Sequence, residues 1–139
     1  MIPRLAFALA LLGFPPLAAT PAQLPEAKVA EAEARRAGLP ASVGEWKLVR
    51  YVPGEQAHFL FASQKRAFSL FVSAMKKGAE LKPQPGWRTV SLGKGKTGFL
   101  HQDARAPERN ALAWRHGSQR WMMLGSLRPE ELASVAAKL

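Results

Sequence analysis

The stretch ALAWRHGSQRWMML, residues 111–124, decides the fold, because two alternating runs in it flank a Gly-Ser dipeptide. Side chains of a β-strand point to opposite faces in turn, so the alternation predicts strands over 111–116 and 119–124. A two-residue connection with glycine first is typical of a type II′ turn between paired strands. Residues 111–124 therefore predict an antiparallel hairpin.

The same period of two recurs along the chain before this hairpin. Ser63–Arg66 predicts a four-residue hairpin loop, and Gly93–Lys96 predicts a second hairpin turn. The Gly/Pro/Lys-rich residues 76–86 and the polar residues 103–110 predict longer loops. The upstream strand candidates are WKLVRYV (46–52), AHFLFA (57–62), AFSLFVSAM (67–75), WRTVSL (87–92) and TGFLHQ (97–102).

A helix is predicted on each side of these strands. Residues 25–37 begin with Pro25 and end before Gly38, but their apolar side is mostly alanine. From Pro129, an apolar stripe at helical spacing predicts a helix that must bury one side. We therefore expect an α+β fold: an antiparallel β-sheet of about six strands built from hairpins, with the C-terminal helix packed on one face and a peripheral N-terminal helix.

The first 22 residues have the three-part order of a secretory signal peptide. A positive start at Arg4 precedes the apolar run LAFALALLGF (5–14), which Pro15-Pro16 and small residues follow. The run is too short to span a bilayer, for which about 20 residues are needed. We expect cleavage after Ala19 or Ala22 and a periplasmic or secreted protein with no membrane span. The expected organisation is a signal peptide (1–22), a helix with its connector (23–45) and one α+β domain (46–139).

Composition excludes several classes of protein. The 139 residues include no cysteine, which rules out disulfide scaffolds, cysteine-ligated zinc and thiol nucleophiles. With 47% hydrophobic residues the chain is not of disordered composition. Lys and Arg number 20 against 10 Asp and Glu, a formal charge of +10, and such a charge attracts polyanions.

No motif predicts catalytic, cofactor-binding or metal-binding residues. GKGKTG (93–98) ends like a phosphate-binding loop, but Val90 occupies the position of the required first glycine and a strand follows. The histidines, His58, His101 and His116, lack the spacing of metal ligands. His101 with Asp103 and a serine would make a hydrolase only if the fold brought them together. We expect a protein that is not an enzyme.

Aromatic and basic residues leave alternatives open. Trp46, Trp87, Trp114 and Trp121 each adjoin a basic residue, as in proteins that stack on bases, but strand alternation favours core packing for them. Six basic residues in three loops are candidates for binding an anion or a partner, or they only keep the protein soluble. Convergence of the three loops at one end of the sheet would concentrate the charge of Lys65, Arg66, Lys76, Lys77, Lys94 and Lys96.

Residues 39–139 resemble the small C-terminal domain of MucB/RseB-type sigma-factor regulators and related periplasmic modules of anti-sigma factors. The matching features are Leu39-Pro40 ahead of Trp46-Lys47-Leu48, the hairpin FLFASQKRAFSLFV (59–72) and the closing MMLGSLRPEELASVAAKL (122–139). The family's larger N-terminal domain has no counterpart here, and its turn usually has Asp-Gly where this chain has Gln64-Lys65. The resemblance implies a stand-alone adaptor domain that binds the extracytoplasmic part of an anti-sigma factor or envelope lipid, without catalysis.

Two functions follow as expectations. The first is an exported, non-enzymatic binding and regulatory module of the bacterial envelope, acting on an envelope protein such as an anti-sigma factor. The second is an envelope polyanion-binding protein that holds lipopolysaccharide, anionic lipid or, less favoured, extracellular DNA through its basic loops.

Overall fold

A computed structural model describes residues 23–106 and 109–139, so the predicted signal peptide lies outside the described residues. Two helices enclose eight strands in chain order. They are α1 (Gln23–Ala37), β1 (Ser42–Val43), β2 (Trp46–Val52), β3 (Gln56–Ser63), β4 (Arg66–Ala74), β5 (Arg88–Gly93), β6 (Lys96–Gln102), β7 (Asn110–His116), β8 (Gln119–Gly125) and α2 (Pro129–Lys138).

The strands form one antiparallel sheet in the order β1-β2-β3-β4-β8-β7-β6-β5. Two four-stranded meanders, β1–β4 and β5–β8, are joined where β4 pairs with β8. The predicted α+β class and antiparallel sheet are confirmed, but the expected number of about six strands is wrong. Each alternating run forms a strand of its own, and β1 is too short to show a pattern in the sequence.

The tight turns fix the register within each meander. Ser63 pairs with Arg66, so the β3–β4 connection has two residues and not the four predicted from the sequence. Gly117 has a φ of +62° at the first position of the β7–β8 turn, a conformation that glycine adopts without steric cost. The predicted two-residue connection there is confirmed, since His116 pairs with Gln119.

One face of the sheet, here called the inner face, carries the hydrophobic core. Alternate residues of the central strands are buried on it, with Trp114 and Trp121 having no exposed surface. Both helices contribute to this core, α2 through Leu132, Val135 and Ala136. The large apolar side chains from the strands that are fully buried are Phe59, Phe61, Phe68, Leu70, Leu112, Trp114, Trp121 and Met123.

Helix α1 is less peripheral than its alanine-rich sequence suggests. Ala30 and Ala34 are buried in the core, where their small side chains bring the helix close to β2. Beyond the helix, Gly38 adopts a φ of +82° and its N–H donates to the Arg35 carbonyl oxygen at 3.2 Å. The Leu39 N–H donates to the Ala34 carbonyl oxygen at 2.7 Å, which completes the Schellman motif that ends the helix.

The start of α2 is held to the sheet by charged and polar groups. The Glu131 carboxylate accepts the Arg128 backbone N–H at 3.2 Å and pairs with the Arg66 guanidinium at 2.9 Å. The buried Asn110 side chain donates to the Leu127 carbonyl oxygen at 2.7 Å and so fixes the preceding connection. The backbone hydrogen bond from Arg128, followed by the Arg66 side chain, lowers the pKa of Glu131 below its ordinary value of 4.5.

Changing Glu131 to Gln should cost less than about 1 kcal/mol of stability at pH 7, because partly exposed ion pairs contribute little. The pKa of this carboxyl is lower in the folded than in the unfolded protein. Its contribution is therefore complete above pH 4.5 and is lost as the pH falls through the folded-state value. Urea unfolding at pH 7 and pH 3 should show the difference between wild type and variant shrinking in acid. Glu130→Gln is the control, and an equal, pH-independent loss in Glu131→Gln would contradict this account.

Candidate functional site

The face of the sheet opposite the helices, here called the outer face, carries two rows of side chains from neighbouring strands. The central row is half-buried except for the buried Ala113, and its His58 ring stacks on Phe71 with centroids 4.6 Å apart. The second row includes Leu124, which is 40% exposed. The central row is His58, Phe71, Met122, Ala113 and Phe99, and the second row is Leu60, Ser69, Leu124, Ala111 and His101.

The segment 75–87, between β4 and β5, crosses part of the outer face. Its first residue is tied to the β7–β8 turn, since the Met75 N–H donates to the Ser118 carbonyl oxygen at 3.0 Å. Midway, the Arg115 guanidinium donates to the Ala79 carbonyl oxygen at 3.1 Å. At the far end, the Trp87 ring stacks on His101 with centroids 5.2 Å apart. The segment is therefore fastened to the sheet at three places.

A cavity of about 150 Å³ lies between this segment and the sheet. The sheet contributes part of the central row together with Arg120, and the segment contributes residues on both sides of Pro83 and Pro85. Of the residues that the structure describes, those lining the cavity are apolar, cationic or neutral polar, and none is a carboxylate. The lining residues are Leu81, Lys82, Gln84, Trp87, Phe99, Ala113, Arg120 and Met122.

Two arginines lie directly opposite each other beside the cavity, Arg115 on β7 and Arg120 on β8. Like charges in this cross-strand position destabilise a sheet. Arg115 donates to the carbonyl oxygens of Ala79 and Gly117, while the buried Nε of Arg120 has no hydrogen-bond partner. Neither takes part in an ion pair among the described residues. Neither was among the predicted site residues, although the two-residue turn alone places Arg115 opposite Arg120.

The basic loops lie at two opposite ends of the sheet, so the three loops do not converge at one end. Lys65 and Arg66 are at the end where α2 begins, the α2 end. The lysines after β4 and in the β5–β6 turn are at the other end, here called the lysine end and defined by Lys76, Lys77, Lys94 and Lys96. Strands of seven residues separate the two ends by about 23 Å.

Arg66 has a structural role at the α2 end. Besides its pair with Glu131, it lies 3.7 Å from the Glu45 carboxylate and 5.1 Å from the centre of the Trp46 ring. These contacts join α2 to the β1–β2 and β3–β4 turns. Of the six predicted residues, the four at the lysine end remain together as a candidate surface.

The hydrolase arrangement considered for His101 does not form. His101 Nδ1 is buried without a hydrogen-bond partner, and Asp103 accepts the Arg105 backbone N–H at 2.9 Å. A different pair is formed on the outer face, where His58 Nε2 lies 2.7 Å from Ser69 Oγ. Its charged neighbour is Arg50, a cation, whereas a triad needs a carboxylate at this position to orient the histidine.

His58 and His116 contribute little positive charge to the sheet at neutral pH. Burial, and then the charge of Arg50, lower the pKa of His58 below its ordinary value of 6.5. Burial, and then Lys96, lower the pKa of His116 in the same way. Both rings are therefore neutral at pH 7, and the positive field comes from arginine and lysine side chains.

The glycine-rich residues 93–98 form a hairpin turn, as predicted from the sequence, since Gly93 pairs with Lys96 across it. Among the described residues, no three His, Asp or Glu side chains are grouped closely enough to hold a metal ion. Within the same residues, neither α1 nor α2 has the length and apolar character needed to cross a membrane.

No family model matches the chain, and no curated protein or solved structure shows a significant match to it. The functional proposal therefore rests on the geometry and charge of the outer face and on the sequence patterns.

Proposed function

We propose that this protein is an exported, non-enzymatic binding module of the bacterial envelope, which binds an acidic segment of an envelope protein on its outer face. The observation that carries the proposal is the pair Arg115 and Arg120 beside the half-buried central row, opposite each other and with no ion-pair partner among the described residues. An acidic partner would relieve the repulsion between the two cations, while the apolar side chains would supply contact area.

Two sequence patterns support the cellular setting of this proposal. Residues 1–22 have the order of a signal peptide, which supports a location outside the cytoplasm. The resemblance of residues 39–139 to the C-terminal domain of MucB/RseB-type regulators makes the extracytoplasmic part of an anti-sigma factor the first partner to test. In this proposal the domain acts by occupying that partner and carries out no chemical step.

Replacing Leu124 by Asp should weaken partner binding at least about tenfold, because it puts a negative charge in the centre of the proposed interface. Val29→Asp is the matched control, since Val29 is 55% exposed on α1, on the other side of the sheet. The immobilised protein would capture its partner from an envelope extract of the source bacterium, and mass spectrometry would identify it. Titration with the purified extracytoplasmic segment would then give the Kd for wild type and both variants.

A partner that both variants bind as well as wild type does would refute the outer face as the interface. A partner lost equally with Val29→Asp would point to α1 instead. Support requires one identified envelope protein, bound directly, whose affinity falls with Leu124→Asp and is unchanged by Val29→Asp.

The second candidate function is binding of anionic lipid or lipopolysaccharide, and the lysine end favours it. Lys76, Lys77, Lys94 and Lys96 share this end, and Arg115 lies close to it. The nearby described acids are Glu55 and Glu80, both exposed. Such an excess of positive charge attracts phosphate-bearing surfaces, with an energy of about 1 kcal/mol for each Lys near an anionic membrane.

The double variant Lys94→Glu with Lys96→Glu should lower affinity for phosphatidylglycerol vesicles at least about tenfold. The matched control reverses two exposed lysines at the α2 end, Lys47 and Lys65, and should leave affinity within about twofold of wild type. Co-sedimentation in 50 mM and 300 mM salt would measure both. Equal losses in the two double variants would show that net charge, and not the lysine end, determines binding.

A further inference from the structure

We propose that the cavity under segment 75–87 binds a carboxylate attached to an apolar group about the size of a benzene ring, and that Arg120 holds the carboxylate. This inference rests on the proposed function and deepens it, because it names the chemical group that the outer face recognises. Two kinds of molecule carry a carboxylate next to a small apolar group: a free aryl or short alkyl acid, and the C-terminal residue of a polypeptide.

The size and walls of the cavity define the apolar part of this ligand. Phe99, Ala113 and Met122 line it from the sheet, and Leu81 and Trp87 line it from the segment. A volume of about 150 Å³ is large enough for a benzene-sized group. The part of a ligand that lies inside the cavity is therefore one ring or a short branched chain.

The charge of the lining defines the polar part. Arg120 and Lys82 are the charged residues that line the cavity, and both are cations. Among the described residues the buried Nε of Arg120 has no hydrogen-bond partner, and its Nη2 lies 3.8 Å from the Met122 sulfur. A planar guanidinium matches a carboxylate with two parallel hydrogen bonds, so Arg120 fits this group better than a lysine does.

The neighbouring Arg115 differs from Arg120 in its hydrogen bonds. Arg115 is occupied by the carbonyl oxygens of Ala79 and Gly117, at 3.1 and 2.8 Å. Those contacts hold the middle of segment 75–87 over the sheet, and they keep a second positive charge opposite Arg120. A carboxylate bound to the accessible part of the Arg120 guanidinium would reduce the repulsion between the two cations.

Titration of the purified protein with 3-phenylpropionate, followed through the ¹H–¹⁵N signals of the tryptophan indoles, tests the site directly. The Trp87 signal should shift, because Trp87 lines the cavity, and the signals of the buried Trp46, Trp114 and Trp121 should not. The uncharged 3-phenylpropanol should bind at least about tenfold more weakly, since it cannot form a charge-assisted pair. Equal affinity for the acid and the alcohol would overturn the role given to Arg120.

Variants separate the named cavity from general attraction to a basic protein. Arg120→Gln should weaken 3-phenylpropionate binding at least about tenfold, and Arg105→Gln, an equal charge change in the exposed β6–β7 loop, should not change it. Ala113→Leu should abolish binding by filling the cavity. Full binding by a folded Arg120→Gln or Ala113→Leu variant would place the ligand elsewhere and overturn the proposal.

Peptides distinguish the two sources of the carboxylate. An acetylated pentapeptide ending in a free Phe carboxylate should bind with the same dependence on Arg120 if the natural ligand is a polypeptide C-terminus, and its amide should not bind. Binding of the small acid without the peptide would assign the site to a free acid. Failure of both ligands would overturn this inference alone, provided Leu124→Asp still reduces partner binding. Ligand binding without an effect of Leu124→Asp would instead overturn the proposed function.

Discussion

Replacing Trp121 by Ala should lower the free energy of unfolding by about 3–5 kcal/mol, the largest effect expected of any substitution considered. Trp121 has no exposed surface and lies in the middle of the inner face, opposite Val72 on β4 and Trp114 on β7. Its ring meets that of Trp114 edge-on at 5.9 Å, and the His116 ring stacks on it at 3.9 Å. The substitution leaves a cavity among these rings, and the sheet cannot collapse to fill it.

Trp87→Ala is the matched control, because it removes the same indole from the outer face, where Trp87 is only half-buried. It should cost less than half as much stability, while it removes a wall of the proposed ligand cavity. Urea unfolding, followed by far-UV circular dichroism, gives the free energy of unfolding of both variants. The dependence of that free energy on urea concentration should be the same for both. Equal losses for the two variants would contradict the assignment of the core to the inner face.

The strand pattern of the sequence predicted core packing for all four tryptophans, which is right for three of them and wrong for Trp87. Alternation places Trp46, Trp114 and Trp121 opposite their basic neighbours, and all three are buried on the inner face. Trp87 departs from the pattern because it precedes the first residue of β5 and belongs to the crossing segment. Local periodicity therefore identified strands and their faces, but it could not assign residues that lie outside the strands.

The placement of the basic loops could not be predicted, since it depends on the path of segment 75–87. A tight turn after β4 would have started β5 at the lysine end and put the β5–β6 turn beside Lys65. Instead the segment runs along the sheet toward the α2 end, where β5 begins. The β5–β6 turn with Lys94 is therefore at the lysine end. No periodic pattern in a Gly/Pro/Lys-rich segment indicates such a path. For the same reason the sequence does not predict the cavity beneath the segment.

The pairing of Arg115 with Arg120 can be predicted from the sequence. Once Gly117-Ser118 is taken as a two-residue turn, the antiparallel register places Arg115 opposite Arg120 without further information. The signal for this pair is therefore the charge pattern across the two strands, not the charge pattern along the loops. The pairing of β4 with β8 is different, because it joins strands far apart in the chain and leaves no short-range signal.

Replacing Gly125 by Ala should destabilise the protein by about 1–3 kcal/mol, the cost of adding an atom where none fits. Gly125 lies on β8 at the junction of the two meanders, opposite Phe68 on β4. An added Cβ would lie 2.9 Å from Phe68 Cβ, 3.0 Å from the Ala67 carbonyl oxygen and 3.1 Å from Phe68 Cα. These atoms belong to the backbone or adjoin it, so relief requires β4 to move away from β8.

Gly98→Ala is the control for this effect, since Gly98 is also in a strand and crowded. Its added Cβ would lie 3.0 Å from the Ala113 carbonyl oxygen, but its other two neighbours are leucine methyl groups that can rotate away. Gly125→Ala should therefore cost more, and amide exchange should speed up in β4 and β8 together. The central row crosses this junction from Phe71 on β4 to Met122 on β8. Partner binding should therefore weaken as the separation of β4 from β8 becomes more frequent. A larger loss from Gly98→Ala would mean that the two meanders are held together more loosely than their contacts indicate.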